Sequence, residues 1–121
     1  MKDQMISIIE DDLPVREAME VLLKSAGMKY QSFDSAEQFL FGFNPCHENI
    51  IVLDLNLPGM NGCDLVKKIR PDGIRNQVIV TTAFDDPISR KLCKQYGVKA
   101  FLRKPVDGEA LIDLIKYNMQ A

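Results

Sequence analysis

Long apolar runs are missing from this chain of 121 residues; the longest, such as Ile50 to Leu53, hold about four residues, far short of the roughly 20 that span a bilayer. The opening MKDQM lacks the apolar stretch of a signal peptide. Both absences lead us to expect a soluble, cytoplasmic protein with no membrane contact. Histidine occurs once, as His47, inside the polar stretch NPCHEN that reads as a surface loop. Any Ser-His-Asp type of hydrolase would have to rely on it. Cysteine is scarce as well: Cys46, Cys63 and Cys93 are odd in number and widely spaced, a poor disulfide framework with no zinc-ligand spacing, which suits free thiols in a reducing compartment. Positive charge is not in excess, with 15 Lys and Arg against 17 Asp and Glu, so direct nucleic-acid binding is not expected. The glycine-lysine loop of a P-loop NTPase is absent too.

What is present is alternation. With 46% hydrophobic and 26% charged residues the composition is that of an ordinary globular chain, and no repeat or linker divides it, so one domain over residues 1–121 is expected. Short β-rich runs begin at Met5, Met28, Ile50, Val78 and Lys99. Between them lie helical patterns. The first opens near Pro14, carries Val15, Ala18, Leu22 and Ala26 at 3.6 spacing, and ends at Gly27. Ser35 with Gln38 is a capping-box signal for the second, with Ala36, Phe39, Leu40 and Phe43 as its apolar positions. Helices are further expected over about 63–70, 87–96 and 111–119. Five strands alternating with five helices specify a parallel sheet covered on both faces, since each parallel crossover needs a helix and is right-handed. The expected architecture is therefore α/β, doubly wound and flavodoxin-like, with strand order 2-1-3-4-5 and its ligand crevice at the carboxyl ends of strands 1 and 3.

Acids stand at that rim. Glu10 and Asp11 follow strand 1, Asp54 ends strand 3, Thr82 ends strand 4, and Lys104 follows strand 5 before Pro105. Carboxylates roughly 4 Å apart repel by about 4 kcal/mol per pair at an effective dielectric of 20. Cations must sit among them. Lys104 supplies one charge, and a hard divalent ion with oxygen ligands, Mg²⁺ for preference and Mn²⁺ next, supplies two. Such a balanced site can take up a phosphoryl group.

The motifs IIEDD, VLDLNLPGMNG, IVTTA and FLRKP, in this order and spacing, resemble the receiver domain of bacterial two-component response regulators, and the resemblance covers essentially the whole chain. It implies that Asp54 is the phosphoacceptor, and that Asp11, Asp54 and the backbone carbonyl of Asn56 bind Mg²⁺, with Glu10 reaching the ion through water. It also implies Thr82 as the switch hydroxyl, Lys104 as the partner of the phosphoryl group, Phe101 as the aromatic that changes rotamer, and a cis bond between Lys104 and Pro105. The phosphodonor would be a sensor histidine kinase or a phosphotransfer protein. An ionised Asp has no proton to give up, so no general base is required. The segments VREAMEVLLKSAG and FDSAEQFL are most similar to receivers fused to LuxR-type helix-turn-helix outputs, which points to transcription regulation; no such domain follows Ala121, so a stand-alone and an excised receiver both fit.

Two departures from the family pattern stand out: Glu10 where Asp is more usual, and Phe84 two residues beyond Thr82. Phe84 either borders the path of the hydrolytic water or anchors its loop. Charge is also unevenly spread, about −6 over residues 1–62 and +4 over 63–121. Arg90, Lys91, Lys94, Lys99, Arg103 and Lys104 run without an intervening acid through helix 4 and strand 5, part of the helix 4 to helix 5 face that in receivers forms homodimers or docks an output; the run reads either as a solvated face or as a docking surface for an acidic partner. Two other functions compete. A haloacid-dehalogenase-type phosphatase needs a second Asp two residues after the nucleophile, where this chain has Asn56. A degenerate receiver acting as a phosphate-independent interaction module would have lost chemical positions that are all filled here.

Overall fold

Alternating apolar residues on the central strands set the layers. On β3 (Glu48–Asp54), Ile50 and Val52 face one side and Ile51 and Leu53 the other, and all four are buried. A strand buried on both faces needs helices above and below it. The computed structural model describes residues 4–42, 48–69, 77–84, 86–98 and 100–120. It places β3 between β1 (Gln4–Ile9) and β4 (Gln77–Thr82), with β2 (Tyr30–Phe33) and β5 (Ala100–Arg103) outermost. All pairings are parallel and the order is β2-β1-β3-β4-β5, as expected from the sequence.

One face of the sheet packs Ile6, Ile8, Ile50, Val52 and Ile79 against Met19 and Leu23 of α1 (Leu13–Ser25) and Leu111 and Ile115 of α5 (Gly108–Gln120). The other face carries α2 (Ala36–Gly42), α3 (Gly62–Ile69) and α4 (Pro87–Gln95) over Ile9, Ile51, Leu53, Val78 and Val80. The crevice between the two layers opens at the carboxyl ends of β1 and β3.

Several boundaries differ from expectation for local reasons. The α1 stripe is centred on Met19 and Leu23, while Ala18 and Ala26 are exposed, because methyl side chains bury little and the larger residues decide the facing. Asp12 caps this helix, its side chain accepting from the Val15 N–H at 3.3 Å. The second strand begins at Tyr30, since Gly27 has φ +73° and the chain is still turning through Met28. Ser35 caps α2 as expected, accepting from the Gln38 N–H at 3.1 Å, and α5 starts three residues early, at Gly108. Phe43, Cys46, His47, Arg70 and Lys99 lie outside the described residues.

The cysteine expectation needs correction. Cys63 and Cys93 form a disulfide between α3 and α4, with Cα atoms 5.4 Å apart. Thirty residues separate them in sequence, and the fold, which spacing alone does not reveal, lays α3 beside α4.

Candidate functional site

Each acid at the rim is delivered by the end of a strand. Glu10 follows β1 and is 1% exposed; Asp54 is the last residue of β3 and is also buried; Asp11 stands at the surface. Their carboxylate oxygens lie within 4.8 Å of one another. Lys104, carried in by the turn after β5, reaches both buried acids, with its Nζ 2.7 Å from Glu10 Oε1 and 3.2 Å from Asp54 Oδ2. The peptide bond between Lys104 and Pro105 is cis, as the motif implied.

Backbone donors hold the acids in place. Asp54 Oδ1 accepts the Asn56 N–H at 3.1 Å, and Glu10 Oε2 accepts the Asp12 N–H at 3.3 Å. Arg16, one turn into α1, donates to the Glu10 carbonyl oxygen at 2.8 Å, a support that single-residue reading of the sequence missed. The β3–α3 loop is fastened to its neighbours by Leu55 N–H donating to Thr81 O at 2.9 Å and Gly62 N–H donating to Leu55 O at 2.8 Å. Gly62 is required there: a Cβ would stand 2.9 Å from Leu55 Cα and 3.0 Å from Asp54 O. The signal was present as the glycine of PGMNG, which reads only as a turn.

Charge at the site is unbalanced. Burial raises the Glu10 pKa from 4.5 to about 7, with the Asp54 charge adding to that rise and the Lys104 hydrogen bond opposing it. For Lys104 burial works against the charged form, but the hydrogen bond to Glu10 and the charges of Asp54 and Glu10 outweigh it and raise its pKa above 10.5. Apart from the Lys104 ion pair, Glu10 Oε1 accepts no hydrogen bond from the described residues although it is buried. A cluster of hard oxygen donors with an under-partnered carboxylate suits a divalent cation.

The two residues expected to act as a switch lie on neighbouring strands, Thr82 at the end of β4 and Phe101 on β5. The Thr82 hydroxyl donates to Phe84 O at 2.6 Å and accepts the Phe84 N–H at 3.2 Å, so it is committed to its own loop. Thr82 O accepts the Lys104 N–H at 2.8 Å, tying the ends of β4 and β5 together. Phe101 is half-buried on β5, and the Arg90 guanidinium carbon lies 4.8 Å from its ring centroid. Phe84 is 74% exposed; its backbone, not its ring, secures the loop, so the anchoring alternative is set aside. An apolar groove of about 460 Å³, lined by Pro14, Val15, Ala18, Leu22, Pro105 and Val106 among others, runs between α1 and the start of α5 and reaches Lys104.

The family assignment follows from this fold and site. The chain belongs to the response regulator receiver domain family, whose model matches residues 6–116. It is a phosphoacceptor signalling module of the two-component type rather than an enzyme, and receiver domains partner with histidine kinases. It is 34% identical over 115 residues to the transcriptional regulatory protein FixJ of Azorhizobium caulinodans, covering 94% of this chain and 54% of that protein. It is also 34% identical over 112 residues to the sensory/regulatory protein RpfC of Xanthomonas campestris pv. campestris, covering 89% of this chain but 15% of that protein. The response regulator StyR superposes with a TM-score of 0.89 at 32% identity, over 98% of this chain and 60% of that one. The chain thus spans about half of FixJ and a smaller part of RpfC. No helix among the described residues is long and apolar enough to cross a membrane.

Proposed function

We propose that Asp54 accepts a phosphoryl group from the phosphohistidine of a sensor kinase or phosphotransfer protein, and that the aspartyl phosphate switches the α4–β5 face. The observation carrying this reading is Lys104, whose ammonium lies within 3.2 Å of both Asp54 and Glu10. Attack by a carboxylate on a phosphorus that already bears negative oxygens is opposed by repulsion. Lys104 offsets that repulsion at one oxygen, and backbone N–H groups after β3 and β4 can receive the others. In the transfer an Asp54 oxygen forms the new O–P bond, the P–N bond to the donor imidazole breaks, and the imidazole keeps that electron pair. Asp11, Asp54 and the Asn56 carbonyl would hold Mg²⁺, or Mn²⁺ in its place, with Glu10 acting through water. The ion supplies Lewis-acid stabilisation of the phosphoryl oxygens.

Thr82 then exchanges its Phe84 partners for a phosphoryl oxygen, and Phe101 turns into the space released. The groove beside Lys104 supports docking of the donor on the α1 side. The basic residues Arg90, Lys91, Lys94 and Arg103 support a homodimer or an acidic output surface at α4–β5–α5. Kinship with FixJ supports a role in transcription regulation of the LuxR type, in the cytoplasm, without direct nucleic-acid or membrane binding by this domain, which we take as one unit over 1–121.

Intact-mass spectrometry after incubation with acetyl phosphate tests this reading. Wild type should gain one phosphoryl mass with Mg²⁺ and none with a chelator, and Asp54→Asn should gain none; undiminished labelling of the variant would refute it.

A further inference from the structure

Helix α4 is fastened to the domain by few side chains. Within Pro87–Gln95 only Cys93 is fully buried, while Ser89 and Arg90 are half-buried. That one buried anchor is bonded to Cys63, the second residue of α3. Gly62, just before it, packs against the Asp54 carbonyl and Leu55. The bridge therefore runs from the base of the acid-bearing loop to the helix whose Arg90 covers Phe101.

The same packing accommodates the reduced pair. Cys63 Sγ lies 3.4 Å from the Ser89 carbonyl oxygen, where a thiol can donate, and a Cα separation of 5.4 Å falls inside the range that a bridge spans without backbone movement. The phosphoryl chemistry uses neither sulfur.

We propose that Cys63 and Cys93 are a reversible dithiol–disulfide modification site that gates the switch. Bridged, α4 is tied to α3 and the α4–β5 face does not respond to the phosphorylated site; reduced, it responds. The gate rests on the reading that Asp54 chemistry moves α4 and β5. The oxidant is a small disulfide such as glutathione disulfide. One cysteine thiolate attacks it, forming a mixed disulfide and releasing one thiol, and the second cysteine attacks that mixed disulfide and releases the other. Two electrons pass to the small disulfide, and the two cysteine protons end on the released thiols. Both sulfurs are buried, so exchange proceeds when α4 lifts, which its sparse anchoring permits.

The test uses the full chain with Cys46→Ser, so that only this pair remains. Glutathione disulfide should make it lighter by two hydrogen atoms, and dithiothreitol should reverse this. Acetyl phosphate should label both forms, whereas amide shifts along α4 and β5 on adding beryllofluoride with Mg²⁺ should be several-fold smaller in the bridged form. Cys63→Ala, with Cys93→Ala as a second arm, should respond to beryllofluoride equally with and without glutathione disulfide. Failure of the bridge to form, or equal shifts in bridged and reduced protein, overturns the gate. Absence of phosphate on the reduced form overturns the parent reading and the gate with it.

Discussion

Glu10 is where burial and charge oppose each other most directly, and it carries a measurable pH dependence. Its folded pKa of about 7 lies above its ordinary 4.5, so between those values the folded protein keeps a proton that the unfolded chain releases. This contribution to stability is full below pH 4.5 and is lost as pH rises to about 7. Lys104 has the same sign at higher pH: its raised pKa adds stability below pH 10.5 that disappears as pH climbs through the folded value. Urea denaturation without divalent ions should therefore show wild type losing more stability than Glu10→Gln between pH 5 and 7.5; equal losses would contradict the burial argument. Phe84 gives a second residue-scale prediction. On the expectation that the Phe84 ring borders the path of the attacking water, where it offers no hydrogen-bond partner, Phe84→Asn should speed loss of the phosphoryl group several-fold. The ring is 74% exposed, so the melting temperature should hardly move, and an unaltered hydrolysis rate would discard the barrier. The residue types at the site were legible because each lies at a strand end in a recognisable motif. Arg16 and Asp12 were not, because their contacts depend on how α1 leaves β1.

At the scale of elements, the proposed switch works through the loop after β3 and helix α4. Adding a methyl at Gly62 would force Leu55 and Asp54 apart, so Gly62→Ala should cost about 1–3 kcal/mol in denaturant unfolding and slow phosphorylation at the displaced Asp54. Thr82 has its hydroxyl occupied by Phe84, so moving it must be repaid by a charge-assisted hydrogen bond worth about 1.5–3 kcal/mol. Thr82→Ala should accept phosphate at a near-normal level while its active-to-inactive ratio falls roughly 10- to 150-fold, read from amide shifts along α4 and β5 with beryllofluoride. Wild-type-sized shifts in the variant would exclude this hydroxyl as the link. Element types were readable from periodicity and caps, down to Ser35 and Gln38. The facing of α1 and the Cys63–Cys93 bridge were hidden, since small alanines mimic a buried stripe and a 30-residue separation carries no sign of adjacency.

For the whole molecule, parallel strands alternating with helices left one economical topology, and that topology sends every strand's carboxyl end to one rim. The acids, Thr82 and Lys104 meet there because β1, β3, β4 and β5 are neighbours in the sheet. The uneven charge, about −6 in the first half and +4 in the second, divides the same way, with the acidic crevice built chiefly from β1 and β3 and the basic surface from α4 and β5. The most direct test of this account is chemical trapping of the modified residue. After acetyl phosphate treatment with Mg²⁺, borohydride reduces an aspartyl phosphate to homoserine, and peptide mass spectrometry locates it. Homoserine at position 54 alone, and none in chelator, is the predicted result; homoserine at position 11, or at 54 irrespective of the metal, would contradict it.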